Sequence, residues 1–173
     1  GGKRDALALY CEVADRKLVT IISEHCFRII KANIDYSRDI YNSSCLILVN
    51  SLYFMREAFK NRKNILNDKI DEFENIISDL LIPETDFIVQ VALANCIVLF
   101  DSEKIKNLTI KIFKLNNKWL NDIVIDYCRL IKTVDSELEL ELTDFLMELN
   151  IESLFRSFST IQFSLSISNT LFV

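Results

Sequence analysis

Glycine is missing from this chain except at Gly1 and Gly2, and Pro83 is its only proline. Average proteins carry roughly 7% glycine and 5% proline. Gly1-Gly2 reads as a cloning scar, residues 1–2, which leaves the rest of the sequence with no glycine. That excludes phosphate-cradling loops and dinucleotide turns, which need glycine for positive φ and for close approach of the main chain to a ligand. Histidine is scarce as well. His25 is the only one, and none of the five cysteines forms a CxxC pair. A zinc site needs three or four Cys, His or carboxylate ligands at suitable spacing, so neither a metal nor a cofactor is expected. No apolar run reaches the ~20 residues of a membrane span; the longest, 45–49 and 97–100, are core-sized. The start shows no signal-peptide pattern. The formal net charge of −5 disfavours bulk attraction to nucleic acid or an anionic membrane. Direct nucleic-acid or membrane binding is therefore not expected.

What is present is hydrophobic. Half the residues are apolar and 12 are phenylalanine. A chain of this length is one domain's worth and can bury about 70% of its unfolded surface. Cys11, Cys26, Cys45, Cys96 and Cys128 read as buried, reduced thiols of a cytosolic or nuclear protein. Sequons at Asn42 and Asn107 are attributed to chance in an Asn- and Ser-rich sequence.

Apolar residues recur at three- and four-residue spacing almost throughout. Leu7, Tyr10, Cys11 and Ala14 form a first stripe. Leu18, Ile21, Ile22, Cys26, Ile29 and Ile30 form a second. Leu46, Val49, Leu52, Tyr53 and Phe59 mark a long helix over 41–60. Ile65, Ile70, Phe73, Ile76, Ile77 and Leu80 follow, and Pro83 ends that helix because it pushes its predecessor out of the α region. Thr85 is the expected N-cap of the next helix, with Ile88, Val91, Ala92, Asn95 and Leu99 inward. Helices over 103–113 and 118–131 come next. Ser136-Glu137-Leu138-Glu139 is a capping box opening a helix to about residue 149. The expected fold is all-α over residues 3–152: about eight helices stacked in antiparallel pairs, armadillo- or HEAT-like. A closed helical bundle fits the same spacing.

Residues 153–173 differ. Ile161, Phe163, Leu165 and Ile167 alternate with polar residues, the period of a half-buried strand. A short C-terminal β-strand or hairpin is expected there, opening a sheet domain.

Side-chain chemistry points to binding rather than catalysis. His25 beside Cys26 suggests a thiol–imidazole pair, but adjacent helix positions point about 100° apart. A structural histidine is expected. Trp119, with Leu120 and Ile123, is expected to anchor the core. Glu137, Glu141, Asp144 and Glu148 share one helix face, opposite Leu138, Leu142, Phe145 and Leu149. Like charges at i, i+4 destabilise a helix slightly, so this stripe reads either as a solvated face or as a docking surface for a basic peptide. Lys104, Lys111, Lys114 and Lys118 form a basic counterpart that could touch phosphates weakly or simply face water. Lys60, Arg62 and Lys63 crowd the end of another helix, where cations complement the dipole.

Residues 87–150 carry a family likeness. Phe87-Ile88-Val89-Gln90-Val91-Ala92 opens it. Arg129-Leu130-Ile131-Lys132-Thr133-Val134-Asp135-Ser136-Glu137-Leu138-Glu139 and then Phe145-Leu146-Met147-Glu148-Leu149-Asn150 are its most telling parts. This stretch, a little over a third of the chain, resembles the end of the armadillo-like domain of meiotic chromosome axis core proteins. These are the synaptonemal complex lateral-element proteins and their yeast Red counterpart. Val134 departs from the pattern as an inserted residue before Asp-Ser-Glu. The family's β domain, HORMA closure motif and coiled coil would lie beyond Val173. The resemblance implies a nuclear, chromosomal scaffold module with no catalytic residues, docking chromatin- or centromere-linked proteins. The competing expectation is a viral Bcl-2-like bundle, cytoplasmic, inhibiting host signalling by protein binding around a central apolar helix at 45–55 or 88–100. An all-α enzyme with scattered carboxylates is a third.

Overall fold

The computed structural model describes residues 2–61, 67–100 and 102–132. Among them the protein is all-α: seven α-helices, three short 3-10 turns and no strand. The expected helix from 136, the strand at 161–167 and the stripe Glu137, Glu141, Asp144 and Glu148 lie outside the described residues. The chain divides into two compact units, Gly1–Phe100 and Asp101–Val173.

The first unit holds α1 (Gly2–Val13), α2 (Arg16–Asn33), α3 (Ser43–Asn61), α4 (Ile70–Leu80) and α5 (Phe87–Asn95). The second holds α6 (Ser102–Lys114) and α7 (Lys118–Lys132). With no glycine after Gly2, Asp or Asn caps the starts of α2, α3, α5 and α7. Asp15 Oδ1 accepts from the Lys17 amide at 2.8 Å to begin α2. Asn42 Oδ1 accepts from Ser44 N at 2.9 Å before α3, and Asn117 Oδ1 from Trp119 N at 2.9 Å before α7. Each bond satisfies one of the amides that a helix leaves orphaned in its first turn.

The cap of α5 differs from expectation. Asp86, not Thr85, caps it, accepting from Ile88 N at 2.9 Å. Thr85 is buried instead, and its hydroxyl has no hydrogen-bond partner. Asp86 wins because its carboxylate carries charge toward the positive end of the helix dipole. Upstream, α4 stops at Leu80, with Leu81 outside helical geometry and Pro83 two residues further on, as the proline signal requires.

At the centre of the first unit, α1, α2, α5 and the 3-10 turn Cys96–Leu99 all pack on α3. Its second half is buried on nearly every side: from Ser51 to Phe59 only Tyr53 and Arg56 are more than 8% exposed. Phe73 of α4 closes this core. Its ring lies 6.1 Å from Phe27 of α2, edge to face, 6.2 Å from Phe59 of α3, stacked, and 5.9 Å from Phe100. Such pairs add about 0.5–1.5 kcal/mol each beyond the area they bury.

In the second unit, α6 buries Ile105, Leu108 and Ile112, and α7 buries Leu120 and Val124, at i, i+3 and i+4 spacing, and the two helices pack together. Asn116 in the turn between them takes φ 50°, the left-handed conformation that a glycine would otherwise fill. Asparagine tolerates it better than other residues with a Cβ.

Two further expectations are corrected. Trp119 is 68% exposed rather than a core anchor. It stands in the first turn of α7, about 100° round the helix from the inward Leu120. His25 is exposed as well, while its neighbour Cys26 is buried, so it takes no part in the packing.

Replacing Phe73 with alanine removes one ring from three aromatic contacts. The expected cost is about 3–5 kcal/mol of unfolding free energy. Urea denaturation followed by circular dichroism measures it, and a loss below about 1 kcal/mol would contradict the central placement of this ring.

Candidate functional site

Four places on the molecule have the residues to do something, and they differ in what their chemistry allows. The first is the interior of α3. Arg56 Nη1 lies 2.7 Å from Glu57 Oε1, with both side chains largely buried. A buried pair of this kind costs desolvation that its attraction barely repays. Beside it, Cys96 Sγ approaches the Leu52 carbonyl at 3.6 Å. Burial pushes the Cys96 thiol up to about 12, with Arg56 opposing and Glu57 adding to the shift. Cys26 and Cys45 are also pushed up, chiefly by burial. Thiolate is the nucleophilic form, so these cysteines are inert packing residues. Cys11, Cys26, Cys45 and Cys96 are all buried and in no disulfide, as the sequence suggested; the side chain of Cys128 lies outside the described residues.

The second place is an open cleft of about 350 Å³ lined by Glu24, Phe27, Arg28, Lys31 and Lys69. Lys31 is already engaged. Its ammonium sits 3.2 Å from Glu72 and 4.9 Å above the Phe27 ring. Of the other charged groups in the wall, Glu24 offsets one of Arg28 and Lys69, so a single positive charge is left over for a ligand. Among the described residues, no three His, Cys, Asp or Glu side chains gather closely enough to hold a metal ion.

The third is the basic set. Lys104, Lys111 and Lys114 lie on α6, whereas Lys118 opens α7 across the Asn116 turn. Lys114 and Lys118 are exposed. Lys104 and Lys111 are half-buried and already interact with neighbours. The exposed Trp119 stands next to Lys118.

The fourth is one end of the first unit, where α3 and α5 both begin. The segment 34–42 is folded there into successive turns: Ser37 N donates to Ile34 O at 3.1 Å, and Asn42 N to Asp39 O at 3.1 Å. The Asp86 amide donates to the Ser37 carbonyl at 2.8 Å, tying this segment to the start of α5. Gln90 Nε2 braces the same loop by donating to Ile82 O at 2.9 Å. Asp86 and Asp39 both raise the Cys45 thiol further, which places the two carboxylates near the first turn of α3. Around this junction Tyr36, Tyr41, Leu46, Ile47, Phe87 and Ile88 are all exposed, Tyr41 to 96%. Single exposed apolar side chains are ordinary; here six belong to the segments that meet at this junction.

Leu46 and Ile88 were expected to face inward, as were Leu18 and Ile21, which are also exposed. In α5 almost every residue is apolar, so periodicity carries no phase. The structure instead buries Val89, Gln90, Ala92, Leu93 and Ala94. The only sequence signal for this end was the Asp-Asn-Asp turn chemistry at Asp39, Asn42 and Asp86.

Compared with protein-family models, curated proteins and solved structures, the chain matches none.

The Cys96 proton has a measurable consequence. In the folded protein its pKa lies near 12, against 9.0 for an ordinary thiol. Between those values the folded state keeps a proton that the unfolded state releases, so stability falls as pH rises. The stability advantage of wild type over Cys96→Ala should shrink by about 1.4 kcal/mol between pH 7 and pH 10. Paired urea titrations test this; a pH-independent difference would mean the thiol is not desolvated.

Proposed function

We propose that the chain is a non-enzymatic protein-interaction module, and that its specific form is the armadillo-like module of a meiotic chromosome axis core protein. The observation that carries the first part is the six exposed large apolar side chains on the segments that meet where α3 and α5 begin. Burying such side chains against a partner is worth about 25 cal/mol per Å² of apolar surface removed from water. The turns beneath them are hydrogen-bonded, so little ordering cost opposes binding. The axis assignment draws its support from the family likeness over residues 87–150. The acidic stripe Glu137, Glu141, Asp144 and Glu148 is proposed as a second contact with basic, chromatin- or centromere-linked partners in the nucleus.

One observation favours the other reading. Helix α3 is packed by α1, α2 and α5 in the manner of a central bundle helix, the arrangement expected of a Bcl-2-like inhibitor of host signalling. The partners recovered distinguish the two.

The test is affinity capture from whole-cell meiotic extract with the chain and with a Tyr41→Ser/Phe87→Ser/Ile88→Ser variant. The wild type should retain chromatin- or centromere-linked proteins, and the variant should lose them while keeping its helical circular dichroism. Retention by the variant would contradict the role of this end. Recovery of cytoplasmic signalling proteins in their place would move the function to the bundle reading.

A further inference from the structure

The junction of α3 and α5 has a charge as well as an apolar face. Asp35, Asp39 and Glu84 are exposed around it and Asp86 is half-buried; Arg38 is the one cation among these turns. Asp39 and Asp86 have local duties, accepting from Tyr41 N at 3.0 Å and from Ile88 N at 2.9 Å. Asp35 and Glu84 are not needed for either cap. The whole chain adds to the same sign, with a formal net charge of −5. A partner seated on this end therefore meets exposed apolar side chains and negative charge together. An acidic or phosphorylated partner would be repelled there, because like charges across an interface are strongly unfavourable.

Resting on the protein-interaction reading above, we propose that the ligand of this end is a basic amphipathic helix, apolar on one face and flanked by lysine or arginine. The three apolar pairs come from three separate segments: the turns after α2, the first turn of α3 and the first turn of α5. A helix offers anchors at i, i+3, i+4 and i+7, a spacing that can reach successive patches of this kind. Its flanking cations answer the exposed carboxylates of Asp35 and Glu84, which lie next to Tyr36 and three residues before Phe87 in the chain. Charge sets the choice of partner and the approach rate, and apolar burial holds the complex.

Two synthetic helices of about fourteen residues, four turns long, supply the probe. Both carry the same Leu/Phe face; one has lysine on its flanks and the other glutamate. Fluorescence polarisation at low salt should show the lysine peptide binding at least about 10-fold more tightly. That preference should fall several-fold when salt shortens the screening length from ~10 Å toward ~3 Å. Asp35→Lys/Glu84→Lys should bring the two peptides to within about 2-fold of each other, since both positions are exposed and removed from the caps. Phe87→Ser/Ile88→Ser should abolish binding of the lysine peptide with circular dichroism unchanged. Equal binding of both peptides to the wild type would overturn the basic-helix assignment and leave the interaction reading intact. Binding of neither peptide would overturn it too, with the capture experiment deciding that reading separately. A preference that survives Phe87→Ser/Ile88→Ser would place the basic ligand elsewhere and overturn it as well.

Discussion

Burial of the second half of α3 is the constraint on which the first unit depends. A helix enclosed on nearly all sides offers no polar face, so its neighbours must each give up an apolar stripe to cover it. The consequences are visible on every partner. Phe27, Phe73 and Phe100 come from three different segments to one aromatic cluster with Phe59. Cys96 gives up its thiolate form to sit against the Leu52 carbonyl. Even the charged pair Arg56–Glu57 is taken inward, where breaking either partner would leave a costly unpaired charge. The first half of α3 is different: Leu46, Ile47 and Asn50 face water. The helix thus runs from a closed core to an open end, and the surface proposed for binding is that open end.

Side-chain chemistry takes the place of glycine at several helix starts and in one turn. Asp15, Asn42, Asp86 and Asn117 each accept a main-chain amide at a helix start. Asn116 supplies the single left-handed residue among the described positions. Turns built in this way are fixed by hydrogen bonds.

The helices were legible in the sequence because 3.6-residue spacing is a direct imprint of one-sided burial. In α4 the imprint is clean: Phe73, Ile76, Ile77 and Leu80 were expected inward and are buried. Where nearly all residues are apolar, as in α5, spacing has no phase, and Ile88 was placed inward though it is exposed. The same ambiguity hid the apolar end, since Phe87 and Leu46 look like any core residue in one dimension. Trp119 was misplaced because size alone suggested burial, whereas position in the first turn of α7 decided it. Thr85 was taken for a cap because the sequence offers two adjacent cap formers, and only the structure distinguishes the one that bonds, Asp86, from the one that is buried.

The account turns on where a partner touches the chain. Amide chemical-shift mapping of the labelled protein, titrated with the lysine-flanked amphipathic helix, tests this most directly. The largest shifts should fall at residues 35–47 and 84–91, and α6 should stay unmoved. Shifts centred instead on Lys111, Lys114 and Trp119, with the α3–α5 junction silent, would contradict it.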